Sequence, residues 1–294
     1  MKDVVSIFDR YEGIRHRLPT AAFPATTRPV GSLLDIAEDA DAFVFDAFGV
    51  LNVGDTPIPG AAERLDQLRR DGRKIRILSN AASYDHDGAT EKFRRLGVTV
   101  EPDEIITSRD AALEHLDDRL WGCIALPTDD LSDIPFETLR LKDNREDYDR
   151  AEAILFLSAQ AWTQAQQAML SESLRDRPRQ VFVANADLAA PRDDGFSLEP
   201  GHFGHALADA GIEGIRFFGK PFPEVFQMVE ATLPGIPQDR IAMCGDTLHT
   251  DILGAAAQGW RTVLVERDGM FAGVDANHYS GLAKLIPTWR LPRI

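Results

Sequence analysis

The sequence predicts an α/β protein built on a parallel sheet and interrupted by an inserted α/β domain. Three observations carry that expectation. Short β-rich apolar runs alternate with amphipathic stretches, and those stretches stop at Gly72, Gly97, Gly211 and Gly259, where a left-handed cap lets the chain turn back. The apolar runs also lack strict alternation, as strands buried on both faces do. Strand, helix, glycine, strand is the grammar of a Rossmann-like core.

The first 40 residues hold no chemical signal and read as a helical lead-in packed on the core. The apolar run 42–45 leads into Asp46, 74–78 leads into Ser79, and 104–107 is the third strand candidate. The stretch from about Leu113 to Pro200 differs in composition. Its strand-like runs, 123–126, 153–157 and 180–184, are separated by long polar segments such as 128–150. The expected division is therefore a split core of 1–112 and 201–294 around an insert of 113–200. After the insert, 215–218 leads into Gly219 and Lys220, 241–244 into Gly245 and Asp246, and 262–265 closes the set.

Composition narrows the function classes. With 32 Lys and Arg against 47 Asp and Glu, the net charge is −15. Such a chain lacks the basic stripe that displaces counterions from nucleic acid, and an anionic membrane repels it. Small phosphorylated ligands stay open, because local dipoles and metal ions override net charge inside a cleft. Cys123 and Cys244 sit far apart in apolar runs and read as small buried hydrophobes. Asp3 and Asp9 spoil a secretory apolar segment, and the longest charge-free run, 153–171, is broken by Gln160, Gln164, Gln166 and Gln167. A cytoplasmic protein without a membrane span is expected.

Four motifs end predicted strands with polar groups: Phe43-Val44-Phe45-Asp46-Ala47-Phe48-Gly49, Ile77-Leu78-Ser79-Asn80, Phe218-Gly219-Lys220-Pro221 and Met243-Cys244-Gly245-Asp246-Thr247-Leu248-His249-Thr250-Asp251. In an open parallel sheet the carboxyl edge is where ligands bind, so these four are expected to meet in one crevice. Any one alone is an ordinary cap or turn. It is their joint order that signals a site.

In that order the motifs resemble those of haloacid dehalogenase (HAD) superfamily hydrolases, class IIA branch, over residues 41–265. Within the insert, Ala184-Asn185-Ala186-Asp187, Pro191, Gly195 and Pro200-Gly201 resemble that branch's cap signature. The resemblance implies a Mg²⁺-dependent hydrolase of small phosphate monoesters, an α/β cap over the site, and pairing of two copies through the cap. It makes Asp46 the nucleophile that forms an aspartyl-phosphate. Ser79, the Asn80 amide and Lys220 would hold the phosphoryl group, and Asp46, Asp246, Asp251 and the backbone carbonyl of Phe48 the metal. Asn185 and Asp187 are the cap residues expected toward the substrate, a small phosphorylated metabolite.

The residue chemistry agrees. Attack on a phosphate dianion needs an anionic nucleophile, hard oxygen ligands for a masking cation, and a fixed positive charge. One departure matters. Family phosphatases carry a second carboxylate two residues after the nucleophile, as acid and base for leaving group and water; here that residue is Phe48. His249 and Asp187 are the nearby groups able to carry a proton, and neither is assigned the role. Loss of the carboxylate opens a second reading, a phospho-ligand binder without turnover. A third is a dehalogenase, whose Asp-Ala-Tyr-Gly the Asp-Ala-Phe-Gly resembles, although Asp246 and Asp251 argue for a metal that dehalogenases do not use.

Overall fold

The computed structural model describes residues 3–192 and 195–294. A seven-stranded sheet runs, edge to edge, Arg28–Pro29, Trp289–Leu291, Arg261–Val265, Ile241–Gly245, Ala42–Phe45, Lys74–Ser79, Ile105–Thr107, with every neighbour parallel. From Ala42–Phe45 the chain winds outward through Lys74–Ser79 to Ile105–Thr107. It later returns at Ile241–Gly245 on the other side and winds away in the opposite sense. That reversal opens a crevice beyond the carboxyl ends of the two central strands.

Side chains alternate between the faces of these strands, and both faces are covered. Phe43, Phe45, Ile75, Ile77 and Cys244 pack with Leu65, Leu68 and Phe93 from helices Ala61–Arg70 and His86–Arg95. Val44, Leu78, Met243 and Ile241 pack with Val225, Phe226 and Val229 of helix Pro223–Ala231. Full burial of each large side chain contributes about 1.5–3 kcal/mol. Gly72, Gly97, Gly211 and Gly259 all adopt positive φ after a helix, as their spacing predicts.

The insert forms its own parallel sheet, ordered Ile215–Phe217, Val181–Val183, Ala153–Phe156, Trp121–Ile124, Thr138–Arg140. Two corrections follow. Residues 215–218, expected as a core strand, instead supply the edge of this second sheet. The boundary expected at 200 falls at the start of helix Pro200–Asp209, whose Phe203 and Leu207 pack with Val181, Val183 and Ile154. The insert therefore reaches Phe217. The polar stretch 128–150 also contains a strand, Thr138–Arg140, and a helix, Arg145–Arg150. A hairpin of Ala189–Arg192 with Gly195–Leu198 projects from the insert.

The lead-in is helical over Val4–Gly13 and also supplies the edge strand Arg28–Pro29. Its helix straddles both parts of the molecule. Tyr11 Oη accepts the Leu188 N–H at 3.1 Å, and its ring stacks on His249. Cys123 and Cys244 are buried thiols. Among the described residues, no helix is long and apolar enough to cross a membrane.

Candidate active site

Asp46 follows the central strand Ala42–Phe45, and its N–H donates to the Cys244 carbonyl of the adjacent strand at 2.9 Å. Asp246 follows that neighbour. Asp251 comes five residues later, on a widened turn, Leu248–Ile252, where the N–H groups of Asp251 and Ile252 both reach the Thr247 carbonyl. Widened turns of this kind concentrate at functional sites. Carboxylate oxygens of Asp46, Asp246 and Asp251 lie within 4.8 Å of one another. The expected convergence is met.

Glycines make the approach possible. A Cβ on Gly245 would sit 2.1 Å from Asp251 Cγ, and one on Gly269 2.1 Å from Asp246 Oδ2. At Gly49 both constraints meet, a φ of +77° and a Cβ position 2.5 Å from Asp246 Oδ2.

Lys220 neutralises part of the cluster. Its Nζ stands 2.6 Å from Asp46 Oδ1 and 2.8 Å from Asp251 Oδ1, and the side chain is 2% exposed. Burial opposes its charge, but Asp251, Asp46 and Asp187 outweigh that and hold it protonated. Burial pushes Asp251 up to about 6 despite Lys220, and burial with Asp46 and Asp251 raises Asp246 well above the ordinary carboxylate range. Asp246 is anchored by the Met270 N–H at 2.6 Å and the Thr247 hydroxyl at 2.9 Å. Lys220 meets Asp251 Oδ1 off-axis, so that oxygen accepts no well-directed hydrogen bond. The Phe48 carbonyl accepts none either among the described residues. One lysine against three buried carboxylates leaves a deficit of positive charge, and the open oxygens suit a hard divalent cation.

Asn80 holds the second layer. Its Oδ1 accepts the Lys220 N–H at 2.7 Å, while Nδ2 donates to the Lys220 carbonyl at 3.0 Å and to Asp187 Oδ1 at 2.9 Å. Ser79 ends its strand, and its hydroxyl accepts the Ala81 N–H at 3.2 Å. A cleft of about 780 Å³, its solvent-facing part included, is lined by Asp46, Phe48, Asn80, Asn185, Asp187 and Asp246 among others. Asn185 and Asp187 thus do face it. Asn185 also makes the turn, its Oδ1 accepting the Asp187 N–H at 2.9 Å. Gly201 packs beneath that turn, where a Cβ would meet the Ala186 carbonyl oxygen at 2.3 Å. Burial holds the Asp187 carboxyl well above its ordinary range, against the pull of Lys220.

Two residues of these motifs have surroundings that the sequence does not disclose. His249, which would ordinarily be an exposed or capping histidine, is buried. Its Nε2 lies 2.6 Å from Glu12 Oε1, and it does not line the cleft. Phe48 is half-buried, packed against the core and flanked by two cations. Lys92 Nζ lies 4.2 Å and Arg192 Cζ 4.8 Å from its ring centroid. Sequence reasoning missed both cations. Lys92 sits in a polar helix, where a lysine ordinarily means solvent; burial and the nearby Arg192 push it down to about 8.

A switch-point carboxylate cluster and one buried lysine beneath an inserted α/β unit define a capped Rossmann-like protein with a site suited to a metal and a phosphate. Family models described as haloacid dehalogenase-like hydrolase and HAD-hydrolase-like match residues 43–125 and 217–286. Chronophin of Rattus norvegicus is 30% identical over 244 residues, 79% of this chain and 78% of the relative. Acid sugar phosphatase of Staphylococcus aureus (strain MRSA252) is 25% identical over 76% of this chain and 86% of its own. A solved structure from Cytophaga hutchinsonii, described as a possible sugar phosphatase of the HAD superfamily, superposes with a TM-score of 0.79. It is 23% identical and covers 90% of this chain and 98% of that one. The chain belongs to the haloacid dehalogenase superfamily, class IIA branch, and is a phosphatase-like hydrolase.

Proposed function

We propose that this protein hydrolyses small phosphate monoesters in a Mg²⁺-dependent reaction through an aspartyl-phosphate on Asp46. The convergence of Asp46, Asp246 and Asp251 around the Lys220 ammonium carries this reading. Asp46, Asp246, Asp251 and the Phe48 carbonyl would hold Mg²⁺, which supplies charge neutralisation to the phosphate when bound. Lys220, Ser79 and the Asn80 amide orient the phosphoryl oxygens. The Asp46 carboxylate then attacks phosphorus as the ester oxygen departs, and water cleaves the acyl phosphate to release phosphate and restore Asp46. The binder without turnover is the second reading, and Phe48 is the observation that favours it.

Steady-state hydrolysis of p-nitrophenyl phosphate decides between them. Turnover that requires Mg²⁺ and stops on chelation is expected, with ³²P retained on acid-quenched protein and released by hydroxylamine. No turnover, together with thermal stabilisation by phosphate, establishes the binder.

The same charge balance predicts how the metal-free protein responds to Asp246→Asn. Removing one of three crowded carboxylates relieves like-charge burial, so the metal-free melting temperature rises by a few degrees, about 1 kcal/mol. Stabilisation by added Mg²⁺ disappears in the same variant. Differential scanning calorimetry with and without Mg²⁺ reads both effects.

A further inference from the structure

We propose that Lys92 and Arg192 form a receptor for a second anionic group on the substrate, so that the preferred phosphate monoester also carries a carboxylate or a further phosphate. The proposal deepens the phosphatase reading and rests on it. Lys92 comes from the core helix His86–Arg95 and Arg192 from the hairpin of the insert, and both line the cleft that holds Asp46. They converge on the ring of Phe48, two residues beyond the nucleophile.

Lys92 is 8% exposed, yet among the described residues it has no carboxylate within 4.0 Å and donates no hydrogen bond. Asp55, Asp46 and Glu199 act on it only at longer range. Arg192 is fixed by Ser197 at 2.8 Å through Nε and by Glu199 at 3.0 Å through Nη2, which leaves Nη1 unengaged among the described residues. The Lys92 stem is buried while its ammonium opens onto the cleft, with no carboxylate within 4.0 Å among the described residues, and a second cation beside it adds repulsion. The face of Phe48 offers each cation only a weak electrostatic attraction. An anion placed between them would engage the Lys92 ammonium and Arg192 Nη1 together.

Position 48 explains why the receptor is open. A carboxylate there would satisfy both cations and compete with any ligand anion. Phenylalanine keeps the cations in place through its π face and adds no negative charge. What reads as a lost acid–base group is then a gained recognition element: the leaving group presents its own anion where the family's second carboxylate stands.

The test uses matched substrates on the Mg²⁺-loaded full chain. Glycerol 3-phosphate and 3-phosphoglycerate differ by CH₂OH against COO⁻, and glucose 6-phosphate and glucose 1,6-bisphosphate by a second phosphate. Wild type should favour the anionic member of at least one pair by about tenfold or more in kcat/KM, the difference residing in KM. Which pair shows it separates carboxylate from phosphate. Lys92→Met and Arg192→Met should each collapse that ratio toward one, and Lys92→Arg should restore part of it. Equal use of both members by wild type, or a preference that survives both methionine variants, overturns the proposal. Thermal stabilisation by the same ligands gives a readout free of turnover. Lys92-dependent stabilisation without hydrolysis would strike the phosphatase reading and uphold the receptor, whereas equal stabilisation by both members of each pair removes the receptor alone.

Discussion

Asp46→Asn is expected to lower hydrolysis of every phosphate monoester to background, a loss on the order of 10⁶-fold in kcat, because an amide is not a competent nucleophile at phosphorus. Steady-state turnover with Mg²⁺ measures it, and circular dichroism verifies that the variant folds. Retained activity would move the nucleophile elsewhere. The leaving group gives the finer outcome. With phenylalanine at 48, wild type should hydrolyse aryl phosphates far faster than alkyl ones, since an aryloxide departs without a proton.

Phe48→Asp restores the family's carboxylate, and a positioned acid–base group supplies about 10²–10⁴-fold. The structure lowers that expectation. Lys92 and Arg192 would flank the new carboxylate and hold it ionised, unable to donate a proton. Phe48→Asp alone should therefore gain little on alkyl phosphates, and Phe48→Asp with Lys92→Met should gain more. Plots of kcat against leaving-group pKa for the three proteins distinguish these outcomes. A flat plot for wild type would assign the proton to Asp187, whose buried carboxyl faces the same cleft, and Asp187→Asn should then steepen it.

Arg109→Met is expected to produce a large loss of stability, about 3–5 kcal/mol. Arg109 is fully buried at the start of helix Ser108–Leu113, and its guanidinium grips two carboxylates of the insert. Nη1 lies 2.6 Å from Asp129 and Nη2 2.6 Å from Asp133, and Nη1 also reaches the Ala82 carbonyl at 3.2 Å. Methionine preserves much of the volume but strands Asp129, which is 6% exposed, as an unpaired buried charge. A melting temperature lower by roughly 10 °C should result. Adding Asp129→Asn should recover part of the loss. If Arg109→Met melts within 2 °C of wild type, the pair is not what joins the insert to the core.

What the sequence disclosed is what local chemistry encodes. A buried run closing on Asp46, Ser79 or Asp246 announces both a strand and its polar carboxyl end, and each glycine stop needs only the helix before it. Pairing partners are another matter. The run 215–218 has the same composition whether it lies in one sheet or the other, so its place beside Val181–Val183 depends on contacts no window contains. The edge strand Arg28–Pro29 and its neighbour Trp289–Leu291 are too short to show a period. Glu12 and His249 meet across 237 positions, and Arg109 finds its carboxylates 20 and 24 residues away. Lys92 was hidden for a different reason, because charge on a helix reads as solvent until the tertiary fold buries it.

Phe217 is the last residue of the insert's edge strand, and Lys220 comes three positions later. The insert and the charge centre are thus the two ends of one short segment. Gly219, at a φ of +103° and with Asn80 Oδ1 2.5 Å from where a Cβ would be, makes the bend between them. Asn80 fixes that bend, since it grips the Lys220 peptide on both sides and Asp187 of the insert as well. The last strand of the insert and the ammonium that faces Asp46 therefore share one short run of backbone, held at its middle by Asn80.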